Sequence, residues 1–570
     1  MNDSMKQQYE TWKLQVRDET LLTELENMKS NRDEIVDCFY RDLEFGTGGL
    51  RGVIGVGTNR MNIYTVAKAT QGYANYLNRN FSSPSVAIAH DSRIKSDVFA
   101  QVAAEVFAAN GIRVYTYREL MPTPSLSFAV RHLHCSGGIV ITASHNPAKY
   151  NGYKVYGSDG CQITTNAAGE ILEEINNVDI FLDVKKQPFE QALESGLISY
   201  IAEETIDAFI NAVSGESLCQ PGIDKDISIV YTPLNGAGRY CVTRVLQEHG
   251  FTNISVVKEQ ENPDGNFTTC PYPNPEIKEA LALGLDYAKR LGSDLLLATD
   301  PDCDRVGTAV KGPDGYVLLS GNEMGMLLLD YICQRRIALG KMPENPILVK
   351  TIVTIDMASR IAADYGVQVI DVLTGFKFIG EQIGLLEQKG EADRYIFGFE
   401  ESYGYLTGSY VRDKDAVDGS LMICEMFAYY KNQGKSLLDV LDGLYKKYGY
   451  CLNTLRSYTF EGAEGFGKMK GIMDSFRKIV PTEFAGRRVV GICDYLESTA
   501  FDCDGRKEPI DLPKSDVLKF ILEGNTSVVV RPSGTEPKLK LYLSVSADNK
   551  TDASALEASI AAEIETARLL

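Results

Sequence analysis

Apolar runs and amphipathic stretches alternate along this chain in an order that repeats three times. The first copy starts with the apolar run Val86-Ala87-Ile88-Ala89 and passes through the polar segment Asp91-Ser92-Arg93. A helical spacing of Val102, Val106 and Phe107 follows, and Gly111 precedes a second apolar pair, Val114-Tyr115. The second copy reads Ile227-Ser228-Ile229-Val230, then Asn235-Gly236-Ala237-Gly238, then Val242, Val245 and Leu246. It stops at Gly250 before Ile254-Ser255-Val256-Val257. The third joins Ile347-Leu348-Val349 to a helix around Met357 and Ile361, a stop at Gly366, and Val367-Gln368-Val369-Ile370. Each glycine falls where a helix C-terminus favours the left-handed conformation. Strand, loop, helix and strand within about thirty residues is a βαβ unit, and its two strands are parallel.

The flanks read differently. In residues 1–40, Tyr9, Trp12, Val16, Leu21, Leu25 and Met28 recur near helical spacing, which predicts a helical extension docked on the body. A helical stretch from Ser420 to Tyr448 closes the third copy. The remainder carries the runs Val528-Val529-Val530 and Leu539-Lys540-Leu541-Tyr542 without the repeat, which predicts a smaller α+β domain. The expected fold is therefore α/β: three consecutive α/β modules with mostly parallel sheets plus a smaller C-terminal α+β domain. The expected limits are 1–40, 41–205, 206–325, 326–450 and 451–570.

Composition narrows the function. Of 570 residues, 44% are hydrophobic and 24% charged, ordinary values for a globular protein. No run of about 18 apolar residues predicts a membrane span, and the polar start predicts no signal peptide, so a cytoplasmic protein is expected. Twelve cysteines without a Cys-x-x-Cys pair read as reduced, mostly buried thiols, and Cys303 reads as filler. The net charge of -19 argues against nucleic acid as a partner, but a small phosphorylated substrate needs only a local group of cations. All five histidines lie in the first half, so acid–base chemistry in the second half falls to Lys, Tyr or carboxylates.

Several segments carry candidate chemistry. Thr142-Ala143-Ser144-His145-Asn146-Pro147 follows the apolar run Gly138-Ile139-Val140-Ile141, so Ser144 stands in a loop at a strand's end. With His145 adjacent and Lys149 and Lys154 close behind, Ser144 is a candidate nucleophile, although a Ser/Asn/Pro turn reads the same way locally. Asp300-Pro301-Asp302-Cys303-Asp304-Arg305 follows Leu295-Leu296-Leu297. Its three alternate carboxylates suit a hard divalent cation; a phosphoaspartate hydrolase and a solvated turn are the other readings. A calcium loop fails, because Arg305 and Lys311 stand where Gly and Glu are required. Arg531-Pro532-Ser533-Gly534-Thr535-Glu536-Pro537-Lys538 has the open amides, hydroxyls and charge of a phosphate cradle. Thr374-Gly375-Phe376-Lys377 and Phe399-Glu400-Glu401-Ser402 end predicted strands, and Glu400 and Ser402 can bond sugar hydroxyls. The glycine-rich segment from Phe45 to Gly52, with Arg51, matches neither the P-loop nor the dinucleotide fingerprint.

In this order the segments resemble the α-D-phosphohexomutase superfamily, which includes phosphoglucomutases and phosphomannomutases, from about Phe45 to the C-terminus. The extension and length are most similar to the bacterial phosphoglucomutase branch related to phosphopentomutases. The resemblance implies four domains around a central cleft, each contributing a loop. It implies Ser144, beside His145, as the phosphoryl carrier, and Asp300, Asp302 and Asp304 as ligands of Mg²⁺ together with the Ser144 phosphate. It implies Thr374, Gly375, Lys377, Glu400 and Ser402 for sugar recognition, and Arg531, Ser533, Gly534 and Thr535 for the distal phosphate. Arg51, Arg93, Lys154, Arg305, Arg412 and Lys414 match basic active-site positions. The implied reaction interconverts glucose 1-phosphate and glucose 6-phosphate through a bisphosphorylated sugar, with glucose 1,6-bisphosphate as activator, in a monomer or small homo-oligomer. A pentose or mannose mutase of the same mechanism and a non-catalytic sugar-phosphate binder are the alternatives. Lys377 and Tyr405 stand where some members carry His, which resembles the glucose-type enzymes. Chemically, Lys154 is the expected general acid/base, its pKa lowered by burial among cations, and Arg305 neutralises charge on the transferred phosphoryl group.

Overall fold

The structure is a computed structural model that describes residues 3–46, 48–460, 463–532 and 538–569. All three βαβ units are present. Ser85–His90 pairs in parallel with Arg113–Thr116 across the helix Ser96–Ala109. Ile229–Thr232 pairs in parallel with Ile254–Val256 across Gly238–Glu248. Ile347–Thr351 pairs in parallel with Gln368–Val372 across Met357–Asp364. Gly111, Gly250 and Gly366 have φ of 74°, 84° and 67°, the left-handed turn that ends each helix. The second unit's first strand begins two residues later than its apolar run. The Ser228 amide there donates to Asp294 Oδ2 at 3.0 Å and not to a neighbouring strand.

The chain separates into two compact units. The first comprises residues 1–320, 376–398 and 402–429; the second comprises 321–375, 399–401 and 430–570. In the first, a seven-stranded sheet runs in the order Phe45–Gly46, Gly49–Val53, Tyr150–Gly157, Gly137–Ile141, Ser85–His90, Arg113–Thr116, Ile198–Tyr200. Its latter four strands are parallel, and Phe45–Gly46, Gly49–Val53 and Tyr150–Gly157 are antiparallel additions. A five-stranded sheet follows in the order Gly315–Leu319, Val306–Gly312, Leu295–Thr299, Ile229–Thr232, Ile254–Val256. Gly137–Ile141 and Leu295–Thr299 are buried throughout, as strands covered on both faces must be. The N-terminal extension forms helices Asp3–Gln15, Glu19–Asn27 and Arg32–Phe39. Tyr9, Trp12, Val16, Leu21, Leu25 and Met28 all turn into one core there.

In the second unit, Ile347–Thr351 and Gln368–Val372 form the parallel pair of the third sheet. The helical stretch expected from Ser420 is two helices, Ala416–Lys431 and Leu437–Tyr448. Ser436 starts the second with a capping box to Asp439, which stabilises a fresh N-terminus at that point. In the second unit, the C-terminal segment builds a separate antiparallel sheet around Thr526–Pro532 and Lys538–Ala547. Val528, Val530, Leu541 and Leu543 pack there with Met473, Phe476 and Ile560 from two helices. Among the described residues no helix is long and apolar enough to cross a membrane.

Candidate active site

The buried strand Gly137–Ile141 delivers the chain into a loop whose backbone is held at every turn. Thr142 Oγ1 accepts the Ser144 amide at 2.8 Å and donates to Asp91 Oδ2 at 2.6 Å. Ser144 has φ of 51°, a conformation uncommon outside glycine. Arg93 donates to the carbonyl oxygens of Ser144, Asn146, Pro147 and Tyr150. Its Nε lies 3.1 Å from Asp91 Oδ2, and both side chains are fully buried. Arg93 is expected to bind substrate; in the structure its guanidinium is engaged by the loop, where its several donors match a cluster of converging carbonyls. The Ser144 hydroxyl donates to Asp300 Oδ2 at 2.9 Å and lies 3.2 Å from His145 Nδ1.

Asp300 stands at the end of Leu295–Thr299. Its Oδ1 accepts the amides of Asp304 and Arg305, both at 3.0 Å, which curls the loop so that alternate carboxylates converge. Cys303, between them in sequence, is fully buried. Ligand atoms of Asp300, Asp302 and Asp304 lie within 4.8 Å of one another. Asp302 Oδ1 and Asp304 Oδ1 are buried without a hydrogen-bond partner. Buried acceptors are normally satisfied, and three converging carboxylates with open lone pairs fit a hard divalent cation.

Cations surround this cluster. Lys154 Nζ lies 2.8 Å from Asp302 and 3.2 Å from Asp304, and Lys414 Nζ lies 2.8 Å from Asp304. Burial raises the pKa of Asp302, but Lys154 and Lys414 outweigh it and hold the carboxyl below its usual range. Burial, with Asp304 and Asp302, pushes Asp300 well above it. The expected lowering of Lys154 is overturned. Burial does pull it down, but the attraction of Asp302 and Asp304 is stronger and raises its pKa. His145 falls well below its ordinary value through burial and the repulsion of Arg305 and Arg51. Arg305 pairs with Glu276 at 2.5 Å, and Arg51 Nη1 donates to Asn146 Oδ1 at 3.3 Å. One contact had no signal in the sequence: the Thr123 amide donates to the Asp302 carbonyl at 2.8 Å and its Oγ1 to Asp302 Oδ2 at 3.0 Å. A lone Thr after Pro122 reads as an ordinary helix start, and only folding brings it to an aspartate far along the chain.

The other expected residues divide. Arg412 is fully buried, donates to the Ser409 and Val411 carbonyls and pairs with Glu387 Oε2 at 2.7 Å. Arg412 is expected to bind substrate; in the structure its guanidinium turns to these carbonyls and to the exposed Glu387 carboxylate. Lys377 lies with its ammonium 5.2 Å from the Phe378 ring, its pKa pulled down by burial. Ser402 is half-buried in the turn after Glu400. In the second unit, the Gly375 amide donates to Glu400 Oε1 at 2.9 Å, and Thr374 Oγ1 is buried without a hydrogen-bond partner. Arg531 ends the strand Thr526–Pro532, opposite Lys540. Ser533, Gly534 and Thr535 lie outside the described residues.

Four successive segments match family models. Residues 42–180, 207–315 and 320–448 match phosphoglucomutase/phosphomannomutase alpha/beta/alpha domains I, II and III, and 496–563 match the C-terminal domain. The chain is 36% identical to a phosphoglucomutase of Staphylococcus haemolyticus over 92% of this chain and 96% of that protein. It is 38% identical to a phosphoglucomutase of Staphylococcus aureus over 90% of this chain and 91% of that protein. A crystal structure of the exocytosis-sensitive phosphoprotein pp63/parafusin (phosphoglucomutase) from Paramecium superposes with a TM-score of 0.68 at 18% identity. That match covers 92% of this chain and 95% of the other, and it shows a shared fold. With the relatives aligned over nearly their whole length, the chain belongs to the phosphoglucomutase/phosphomannomutase family.

Proposed function

We propose that the chain is a phosphoglucomutase, interconverting glucose 1-phosphate and glucose 6-phosphate through phosphorylated Ser144 and glucose 1,6-bisphosphate. The observation that carries this reading is the Ser144 hydroxyl on Asp300 of a converging aspartate triad, 2.9 Å away, in a loop braced by Arg93. In the forward half-reaction the P–Oγ bond of phosphoserine breaks as a bond forms from phosphorus to a free sugar hydroxyl. The hydroxyl's proton ends on Ser144 Oγ, so charge and protons balance. After the bisphosphate turns over, the reverse transfer takes the other phosphoryl group back to Ser144. Asp300, Asp302 and Asp304 would hold Mg²⁺, which supplies neutralisation of phosphoryl charge. Lys154, kept as an ammonium group by the carboxylates, adds fixed positive charge, and Lys414 and Arg305 stand beside it. With Lys154 held as an ammonium, the neutral His145 beside Oγ is the group placed to exchange a proton there.

Thr374, Gly375, Lys377, Glu400 and Ser402 are assigned to the sugar, and Arg531 with Ser533, Gly534 and Thr535 to the distal phosphate. The same reading takes the modules as 41–205, 206–325, 326–450 and 451–570, in a cytoplasmic monomer or small homo-oligomer. Its test is a coupled assay on glucose, mannose and ribose 1-phosphates with Mg²⁺ and a trace of glucose 1,6-bisphosphate. Fastest turnover is expected on the glucose ester. No turnover on any ester refutes the enzyme, and fastest turnover on ribose or mannose refutes the sugar assignment.

A further inference from the structure

The loop after Ile254–Val256 reaches the residue that braces Ser144. Phe267 is fully buried, and the Arg93 guanidinium carbon lies over its ring, 5.0 Å from the centroid. Two features show that the backbone is bent to put the ring there. Phe267 has φ of 47°, which a bulky side chain rarely adopts without compensation from its surroundings. The compensation is local: Asp264 accepts the amides of Asn266 at 3.0 Å and Thr268 at 2.9 Å through its carboxylate, and that of Phe267 at 3.0 Å through its carbonyl. Gly265 is the second feature. A Cβ there would lie 2.6 Å from the Ile94 amide nitrogen and 2.9 Å from the Ser92 carbonyl oxygen. The two loops therefore touch backbone to backbone on either side of Arg93, an approach only glycine allows.

An aromatic face suits this guanidinium. Arg93 already directs its edge to Asp91 and to four carbonyls of the Ser144 loop. Its flat face is what remains, and a ring attracts it there without competing for a donor while excluding water. We propose that Phe267 is a positioning residue, whose ring fixes Arg93 on the backbone of residues 144–150 and thereby holds the Ser144 hydroxyl at Asp300 for phosphoryl transfer. This rests on the phosphoserine reading above.

The test uses the full chain and two variants. Phe267→Leu keeps an apolar side chain but removes the ring face; Phe267→Tyr keeps the face. Hydrogen exchange at the Ser144 and Asn146 amides is read beside steady-state kinetics with glucose 1-phosphate, Mg²⁺ and glucose 1,6-bisphosphate. In Phe267→Leu the exchange is expected to quicken and kcat to fall, each by about tenfold, with KM changed by less than about twofold. Phe267→Tyr restores both. Added to Arg93→Lys, Phe267→Leu has no further effect, because it acts through the guanidinium. Unchanged exchange in Phe267→Leu, equal losses in the Leu and Tyr variants, or additive losses with Arg93→Lys would each overturn the inference. A wild-type chain without mutase turnover refutes the proposed function instead, and the exchange data still decide the bracing role.

Discussion

Ser144 sits in a left-handed backbone conformation with its amide on Thr142 Oγ1 and its carbonyl on Arg93, and its hydroxyl donates to Asp300. Replacing it by alanine is expected to lower kcat about a thousandfold or more, and to abolish a one-phosphoryl adduct in intact-mass spectra. An adduct surviving in Ser144→Ala would place the nucleophile elsewhere. Thr123 bonds Asp302 through both its amide and its hydroxyl. Thr123→Ala is expected to raise the Mg²⁺ concentration for half-maximal activity about tenfold, as loss of a group that orients a ligand does. A titration superimposable on wild type would show that the hydroxyl does not orient Asp302. The contrast with Arg93 and Arg412 is instructive. Their residue type announced a cation, but whether a cation faces substrate or the interior depends on partners that sequence spacing does not reveal.

At the scale of elements, the βαβ units were legible because burial on one face imposes a period that the residues must follow. The same reasoning located the N-terminal helices, whose apolar positions meet in one core with Phe39 and Cys38. Trp12 contacts Phe39, Tyr64 and Phe181 edge-on, with centroids 5.5 to 5.8 Å apart. Trp12→Ala is expected to cost about 3–5 kcal/mol in chemical denaturation, detaching the helices from the first module. A loss under about 1 kcal/mol would mean that the extension is not part of the cooperative core. The boundaries that shifted did so where side chains intervened. Asp294 takes the Ser228 amide from the ladder, and Ser436 with Asp439 starts a new helix inside an apolar stretch.

For the whole molecule, charge that is buried matters more than the net value. In the second unit Asp356 lies 2.9 Å from Lys519 and 3.8 Å from Lys350, and accepts from Ser527 at 2.5 Å. Burial raises its pKa, but the two ammonium groups outweigh that and lower it to about 2. A depressed folded pKa means that Asp356 contributes stability above about pH 4, the range of an unfolded aspartate, and that the contribution vanishes as pH falls through about 2. Thermal unfolding of the full chain should therefore lose Tm across this window more steeply in wild type than in Asp356→Asn. Parallel acid profiles would show that the pair adds nothing. Lys519 lies in the C-terminal sheet segment and Asp356 at the start of the helix Met357–Asp364, so this ion pair joins elements far apart in sequence.

The sequence by itself determined the alternation of elements, the α/β class and the chemical type of each site segment. These depend on local periodicity, on turn residues and on side-chain chemistry, which are written in neighbouring positions. Only the tertiary structure decided that Ser144 meets Asp300, that Lys154 lies between carboxylates and is held protonated, and that Arg93 braces a loop beneath Phe267. Such outcomes follow from which groups share a buried space, where each charge takes its strength from its neighbours and not from its place in the chain.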